Sequence, residues 1–326
     1  MRRSRLDRSA RLALALLVVV TGACGGDDAS ARLYARDPAT ARWVRDSLLL
    51  ETKPNVLLRV LPDGSSSFVV PIATIGAEGI RELRLSEAGW RRLDTEYLHA
   101  GRLLHGHHAA RTVAEYRMFR GMWQPGVPPL DSLGCSPVIP MARALTPESL
   151  RGAPTPRFAT TGERPPLPHE RTLDDGAVST LLGRIPLLVA PTEGISPSDL
   201  RRYRRRVTQV PSGINGGSSL VVEYNDDTPL PAKPRAAGER PRQLIVVLDQ
   251  GAFDYRPTFT WSTTGQPGAQ PKLTLLDFLD TDTDGVPELL FGLLEAERAA
   301  LFTMVVRYDR EAWREVFRFT GNRCDT

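Results

Sequence analysis

An α+β first domain followed by a mainly antiparallel β second domain, short of a full propeller, is the architecture this sequence predicts. Three observations predict it. Apolar runs of strand length recur through the C-terminal part with turn residues between them. Apolar residues at helical spacing are confined to a few short stretches, most of them in the first half. Two proline-dense stretches, 151–172 and 229–242, punctuate the chain where neither helix nor central strand can form.

Residues 37–150 make the first block. Asp37-Pro38 supplies an N-cap and a first helical residue, and Ala41, Val44, Leu48 and Leu49 follow at helical spacing up to Lys53-Pro54. Val56–Leu61 and Ser67–Ile75 read as strands joined by the turn Pro62-Asp63-Gly64. Ile80–Leu85 is a third short strand, and Ser86-Glu87-Ala88-Gly89-Trp90 starts a short helix. Tyr97–Leu104 and Thr112–Trp123 then form a hairpin around a histidine-rich turn. Residues 151–172, with Pro154, Pro156, Pro165, Pro166 and Pro168, read as a linker or surface loop.

Residues 173–326 make the β-rich block. Asp174–Leu182 reads as a helix and Ile185–Val189 as a buried strand. Seven further strands follow: Leu220–Tyr224, Gln243–Asp249, Thr258–Ser262, Leu273–Leu279, Glu288–Leu294, Leu301–Tyr308 and Trp313–Phe319. Short strands at this spacing indicate an antiparallel sheet or sandwich.

The N-terminus carries a different signal. Arg2, Arg3, Arg5, Arg8 and Arg11 precede the apolar run Leu12–Val20, and Thr21-Gly22-Ala23 leads into Cys24. Nine apolar residues are too few for a span of about 20, and the order is that of an export signal. It resembles the signal peptide of bacterial lipoproteins, departing at Thr21 where that family usually has leucine. The resemblance implies removal of residues 1–23 and acylation of Cys24. A lipid would then hold the protein to a bacterial membrane, facing periplasm or cell exterior. Residues 24–36, small, polar and charged, suit a flexible tether.

Cleavage there changes the charge. Of 42 Lys+Arg and 38 Asp+Glu, residues 1–23 take five arginines and Asp7, leaving 37 of each. A neutral mature chain lacks the basic surface a nucleic-acid partner requires, so none is expected. With Cys24 acylated, Cys135 and Cys324 remain, and in an oxidising compartment they pair as one disulfide or stay as two buried thiols. A bridge across so long a loop contributes about 4–5 kcal/mol on the chain-entropy account.

The sharpest local pattern is Asp280-Thr-Asp282-Thr-Asp284-Gly285-Val286-Pro287-Glu288. Alternate aspartates on a tight loop turn their carboxylates toward one point, as an oxygen-seeking cation requires. An EF-hand is a poor fit, because its twelfth position is Phe291 and strands rather than helices flank the loop. The strand–loop–strand setting resembles the FG-GAP or VCBS-type repeat, whose acidic loop binds calcium between strands of propeller blades. That resemblance implies Asp280, Asp282, Asp284, the Val286 carbonyl and Glu288 as ligands of a structural calcium ion. One such unit occurs, where a propeller needs several. The competing reading is an acidic hairpin loop held by Asx-turns without an ion.

Two other clusters stand out. His105-Gly-His107-His108, with His99 upstream, has the residue type for zinc or copper but no adjacent carboxylate or thiol, and reads better as a solvated polar turn. Arg201-Arg202-Tyr203-Arg204-Arg205-Arg206 follows a helix-start pattern at Ser196–Asp199. It could hold phosphate, acidic glycan or lipid headgroups with Tyr203 stacking, though a solvated or internally paired face suits a neutral chain better. Nucleophile-elbow, P-loop, dinucleotide and zinc-protease patterns are missing from the sequence. The expected function is a lipid-anchored cell-envelope protein, a non-catalytic binding or structural module engaging glycan or another envelope protein. The alternative is an envelope hydrolase or metal-dependent enzyme built on His105–His108.

Overall fold

The computed structural model describes residues 54–63, 66–76, 79–83, 87–122, 141–145, 154–164, 167–168, 172–227, 241–251, 254–264, 272–293 and 302–319. Cys24, Cys135, Cys324 and the helix expected over 37–52 lie outside them. The chain divides into two compact units, residues 1–53 with 84–93 and residues 54–83 with 94–326. All described strands belong to the second, and they are mostly antiparallel β.

A closed six-stranded barrel comes first. β1 (Asn55–Asp63) and β2 (Ser66–Gly76) pair from Asn55↔Ile75 to Asp63↔Ser66, the hairpin that Pro62-Asp63-Gly64 predicts. β3 (Gly79–Glu82) lies beside the second half of β2 and outside the ring. α1 (Glu87–Tyr97) leads to β4 (Leu103–His108) and β5 (Arg111–Met122), and β6 (Met141–Leu145) bridges β5 and β2. β7 (Phe158–Thr160) pairs with β1 on one side and β4 on the other, closing the ring β1-β7-β4-β5-β6-β2. This last strand lies inside the proline-dense stretch read as linker or loop. Its three residues carry no proline, so each can join a ladder although prolines stand on both sides.

The histidines also lie elsewhere than expected. Tyr97 ends α1 rather than opening a strand, and His105–His108 belong to β4. The turn is Ala109-Ala110, with φ of 49° and 59°. Alanine pays a steric penalty in that region; here the Ala109 N–H donates to the Asp277 carboxylate at 2.8 Å, which holds the turn from outside the hairpin.

The remaining elements form three stacked layers. α2 (Asp175–Val189) starts at the N-cap Asp174, whose carboxylate accepts from the Ala177 N–H, as the sequence predicts. It does not stop at Leu182. The stretch expected as the strand Ile185–Val189 continues the helix through Pro186. Leu182, Ile185, Pro186 and Val189 form one buried face at helical spacing, and that burial outweighs the lost hydrogen bond at proline. α3 (Pro197–Leu200) is a single turn capped by Ser196.

β8 (Arg204–Val210), β9 (Ser219–Asn225), β10 (Pro241–Gln250) and β11 (Tyr255–Thr264) form a meander in the order β11-β10-β9-β8, the helix-backed sheet. β12 (Leu273–Leu279), β13 (Glu288–Leu293), β14 (Thr303–Asp309) and β15 (Ala312–Phe319) form a second meander, the barrel-backed sheet. All seven strands expected in this region are present. The sequence reading missed only β8, whose arginines mask its alternation.

The central strands of both sheets are buried on both faces. Val222, Leu244, Val246 and Leu248 pack with the buried face of α2, while Val221, Ile245 and Val247 pack with Leu275, Leu289, Phe291, Met304 and Val306 of the barrel-backed sheet. Leu279, Leu290 and Val305 turn the other way, onto Leu57, Ile72 and Phe158 of the barrel. Two-sided burial explains why runs such as 244–248 are continuously apolar rather than alternating.

Candidate metal centre

The acidic loop connects β12 to β13 at the layer that touches the barrel. Asp280, Asp282 and Asp284 each offer a carboxylate oxygen within 4.8 Å of the others, and they are the only such group of potential ligands among the described residues. The backbone forces this convergence. Asp280 accepts the Thr283 N–H at 2.7 Å and the Gly285 N–H at 3.0 Å, one on each carboxylate oxygen. Asp282 accepts from the Asp284 N–H at 3.3 Å, and Asp284 from the Val286 N–H at 2.7 Å. Thr283 and Gly285 both hold positive φ, 64° and 88°, which winds the loop tightly. The Asx-turns anticipated from the sequence are thus present, and each carboxylate keeps lone pairs for a cation.

Electrostatics make the cluster receptive to positive charge. Burial pushes the Asp280 and Asp284 carboxyls above the usual range, and repulsion from Asp282 adds to it in both. Two guanidiniums stand nearby. Arg164 donates to the Thr281 carbonyl at 3.1 Å and feels Asp280, Glu288 and Asp282, while Arg307 approaches Asp282 to 4.0 Å.

Glu288 sits apart from the converging triad. Its side chain is fully buried, and one oxygen accepts the Thr281 N–H at 2.9 Å. The other, Oε1, has no hydrogen-bond partner among the described residues. Burial pushes its carboxyl up to about 8, against the pull of Thr281 and with a further push from Asp282. The Val286 N–H is engaged by Asp284. Of the ligands implied by the resemblance, the fold therefore gathers the three aspartates and places Glu288 at the loop's base. The donor set is all oxygen, which suits a hard divalent cation such as calcium.

The histidine cluster makes no such centre. His107 is 1% exposed, and its Nε2 lies 2.7 Å from the Thr160 hydroxyl. That hydroxyl donates to the Gly162 carbonyl, so His107 must donate to it through Nε2–H, leaving Nδ1 to face Thr112 at 3.5 Å. Desolvation, helped by His105 and Arg164, lowers its pKa to about 4, so the ring is neutral. His108 is exposed at the strand end. Tyr203, which the ligand-binding alternative for the arginine run would stack on a ligand, is buried in the core under the helices.

Sequence reasoning missed four buried groups. Asp249 accepts from the Ser219 and Thr258 hydroxyls and, at 2.8 Å, from the Trp313 indole N–H. Glu223 accepts the Thr274 hydroxyl at 2.7 Å and the Leu275 N–H at 3.0 Å. Gln243 exchanges hydrogen bonds with the Leu273 backbone, accepting at 2.9 Å and donating at 2.6 Å. These three fasten the helix-backed sheet to the barrel-backed one, and Asp277 fastens the latter to the barrel hairpin. Their available signal was a lone polar residue inside an apolar run, as in Val-Val-Glu-Tyr and Leu-Leu-Asp-Phe.

No family model, no curated protein and no solved structure matches this chain. No helix among the described residues is long and apolar enough to cross a membrane.

Proposed function

We propose that this protein is a lipid-anchored component of a bacterial cell envelope, held by Cys24. In this reading it serves as a non-catalytic binding or structural module whose Asp280–Glu288 loop takes a structural calcium ion. The observation that carries the calcium reading is the convergence of three aspartate carboxylates within 4.8 Å on a loop wound by two positive-φ residues. Asp280, Asp282 and Asp284 would hold the ion. The charge it brings would offset their mutual repulsion and pin the β12–β13 connection against the barrel. Its partner class is a glycan or another envelope protein.

The test is thermal unfolding of the full-length chain with calcium and with a chelator. Saturation at about one hundred times Kd adds about 2.7 kcal/mol, which raises the melting temperature of a chain this size by several degrees, at roughly 2–4 °C per kcal/mol. Asp282→Ala should abolish the rise while keeping the circular-dichroism spectrum. A melt indifferent to calcium removes the reading.

A further inference from the structure

We propose that the outer edge of β8 is a docking site for an acidic, extended polypeptide segment of a partner, taken up as an additional strand of the helix-backed sheet. The proposal goes beyond the calcium loop and does not depend on it. β8 ends its sheet, with β9 as its only strand neighbour among the described residues. An edge strand presents a row of backbone donors and acceptors that a further strand can satisfy.

The arginines decide what that strand can be. Val207 packs under the helices and Val210 packs against the barrel-backed sheet, which fixes the faces of β8. Arg205, in phase with Val207, lies on the helix side, where Arg201 and Arg202 are also exposed after α3. Arg204 and Arg206, in phase with Val210, lie on the opposite side, where Arg206 donates to the Thr274 hydroxyl at 2.7 Å. Guanidiniums therefore flank the edge on both faces.

Local carboxylates neutralise them only in part, with Glu223 of β9 standing opposite Arg206 and feeling its charge. Asp199 reaches Arg202 at 3.7 Å, and Asp227 is shared between Arg204 at 3.2 Å and Lys272 at 2.5 Å. Arg201 and Arg205 meet no carboxylate at ion-pair distance among the described residues. Repulsion between two such edges opposes pairing with a second copy of this chain, while an acidic strand is attracted.

The split over two faces also selects the kind of polyanion. A bilayer or a nucleic-acid backbone meets one face at a time. An extended peptide lying in the plane of the sheet sends successive side chains to opposite faces, so successive acidic residues reach Arg205 on one side and Arg204 and Arg206 on the other.

Fluorescence anisotropy of the full-length chain with a labelled peptide of repeating Glu-Glu-Thr-Thr units, which puts glutamates on both faces of a strand, tests this. A matched peptide carries N-methyl groups on its threonine amides, which leaves charge unchanged and removes hydrogen bonds to a neighbouring strand. Binding should weaken about tenfold or more on N-methylation, since several backbone hydrogen bonds are lost together. Arg201→Glu, outside the strand, and Arg205→Glu, within it, should each weaken the unmodified peptide, with folding checked by circular dichroism. Equal binding of the two peptides overturns strand addition. So does competition by phosphatidylglycerol vesicles or single-stranded DNA as effective as that of the peptide, which would make the edge a general polyanion surface.

Discussion

The seam between the two meanders and the acidic loop at its end both bury carboxylates, yet they treat them differently. At the seam, the oxygens of Asp249 receive three donors, and both oxygens of Glu223 are occupied. In the loop, Glu288 uses one oxygen and leaves the other without a partner among the described residues, while the like charge of Asp282 acts on it from the nearby triad. Burial raises the pKa in all three buried acids, so desolvation alone does not separate them. Saturation does. A carboxylate whose lone pairs are filled by fixed donors is an anchor, and one with a free lone pair beside like charges has capacity for a proton or a cation.

The largest expected effect tests the seam. Asp249→Ala strands the Trp313 indole N–H in the interior and takes an acceptor from the Ser219 and Thr258 hydroxyls, which keep Ser212 and the Val247 carbonyl. Removing one member of such a buried network costs about 3–5 kcal/mol. Urea denaturation followed by tryptophan fluorescence should register that loss with or without calcium. A cost below about 1 kcal/mol would mean that the seam holds by apolar packing alone and that saturation is not the useful distinction.

Next in size is the pH response of the loop. Glu288 titrates at about 8 in the fold and near 4.3 in an unfolded chain, so between those values the folded state binds the extra proton. Without calcium, stability is therefore greatest below about pH 4.3 with respect to this group, falls as pH rises toward 8, and is flat above. Glu288→Gln should reduce that slope, which can total a few kcal/mol over the window. It should not erase it, because Asp277, raised by burial to about 7, contributes with the same sign. Urea midpoints in chelator across this range measure it, and a variant slope equal to the parent's would show that Glu288 ionises freely.

This contrast was only half legible in the sequence. Asp280 to Glu288 announce themselves because the alternation and Gly285 lie within one short loop, so local spacing determines local geometry. Asp249 gave a weaker signal, a lone acid ending an apolar strand, and its indole partner is 64 residues away. Closure of the barrel was illegible for the same reason. β7 is three residues long, and the Val56 N–H to Thr161 hydroxyl bond beside it spans 105 positions. The path of α2 through Pro186 was present as the spacing of Leu182, Ile185 and Val189. It was hidden because five residues from Ile185 to Val189 are equally apolar as a strand.

The smallest effect sharpens the comparison most, because it touches the loop's backbone and leaves every carboxylate in place. Gly285 holds φ of 88°, and a Cβ there would stand 3.3 Å from Cγ of Pro168. Alanine at such a φ costs about 1 kcal/mol, and the proline ring, which is closed on its own backbone and cannot swing aside, adds to it. Relief requires the loop to unwind, which draws the Gly285 N–H away from the Asp280 oxygen that it reaches at 3.0 Å. Gly285→Ala should therefore lower the melting temperature by a few degrees and also shrink the stabilisation that calcium brings. The Asp249 seam, tied by residues on β9, β10, β11 and β15, has no part in that turn. A variant that melts lower but keeps the full calcium response would show that the aspartates converge without help from the turn, and the receptive character of the loop would then belong to its side chains alone.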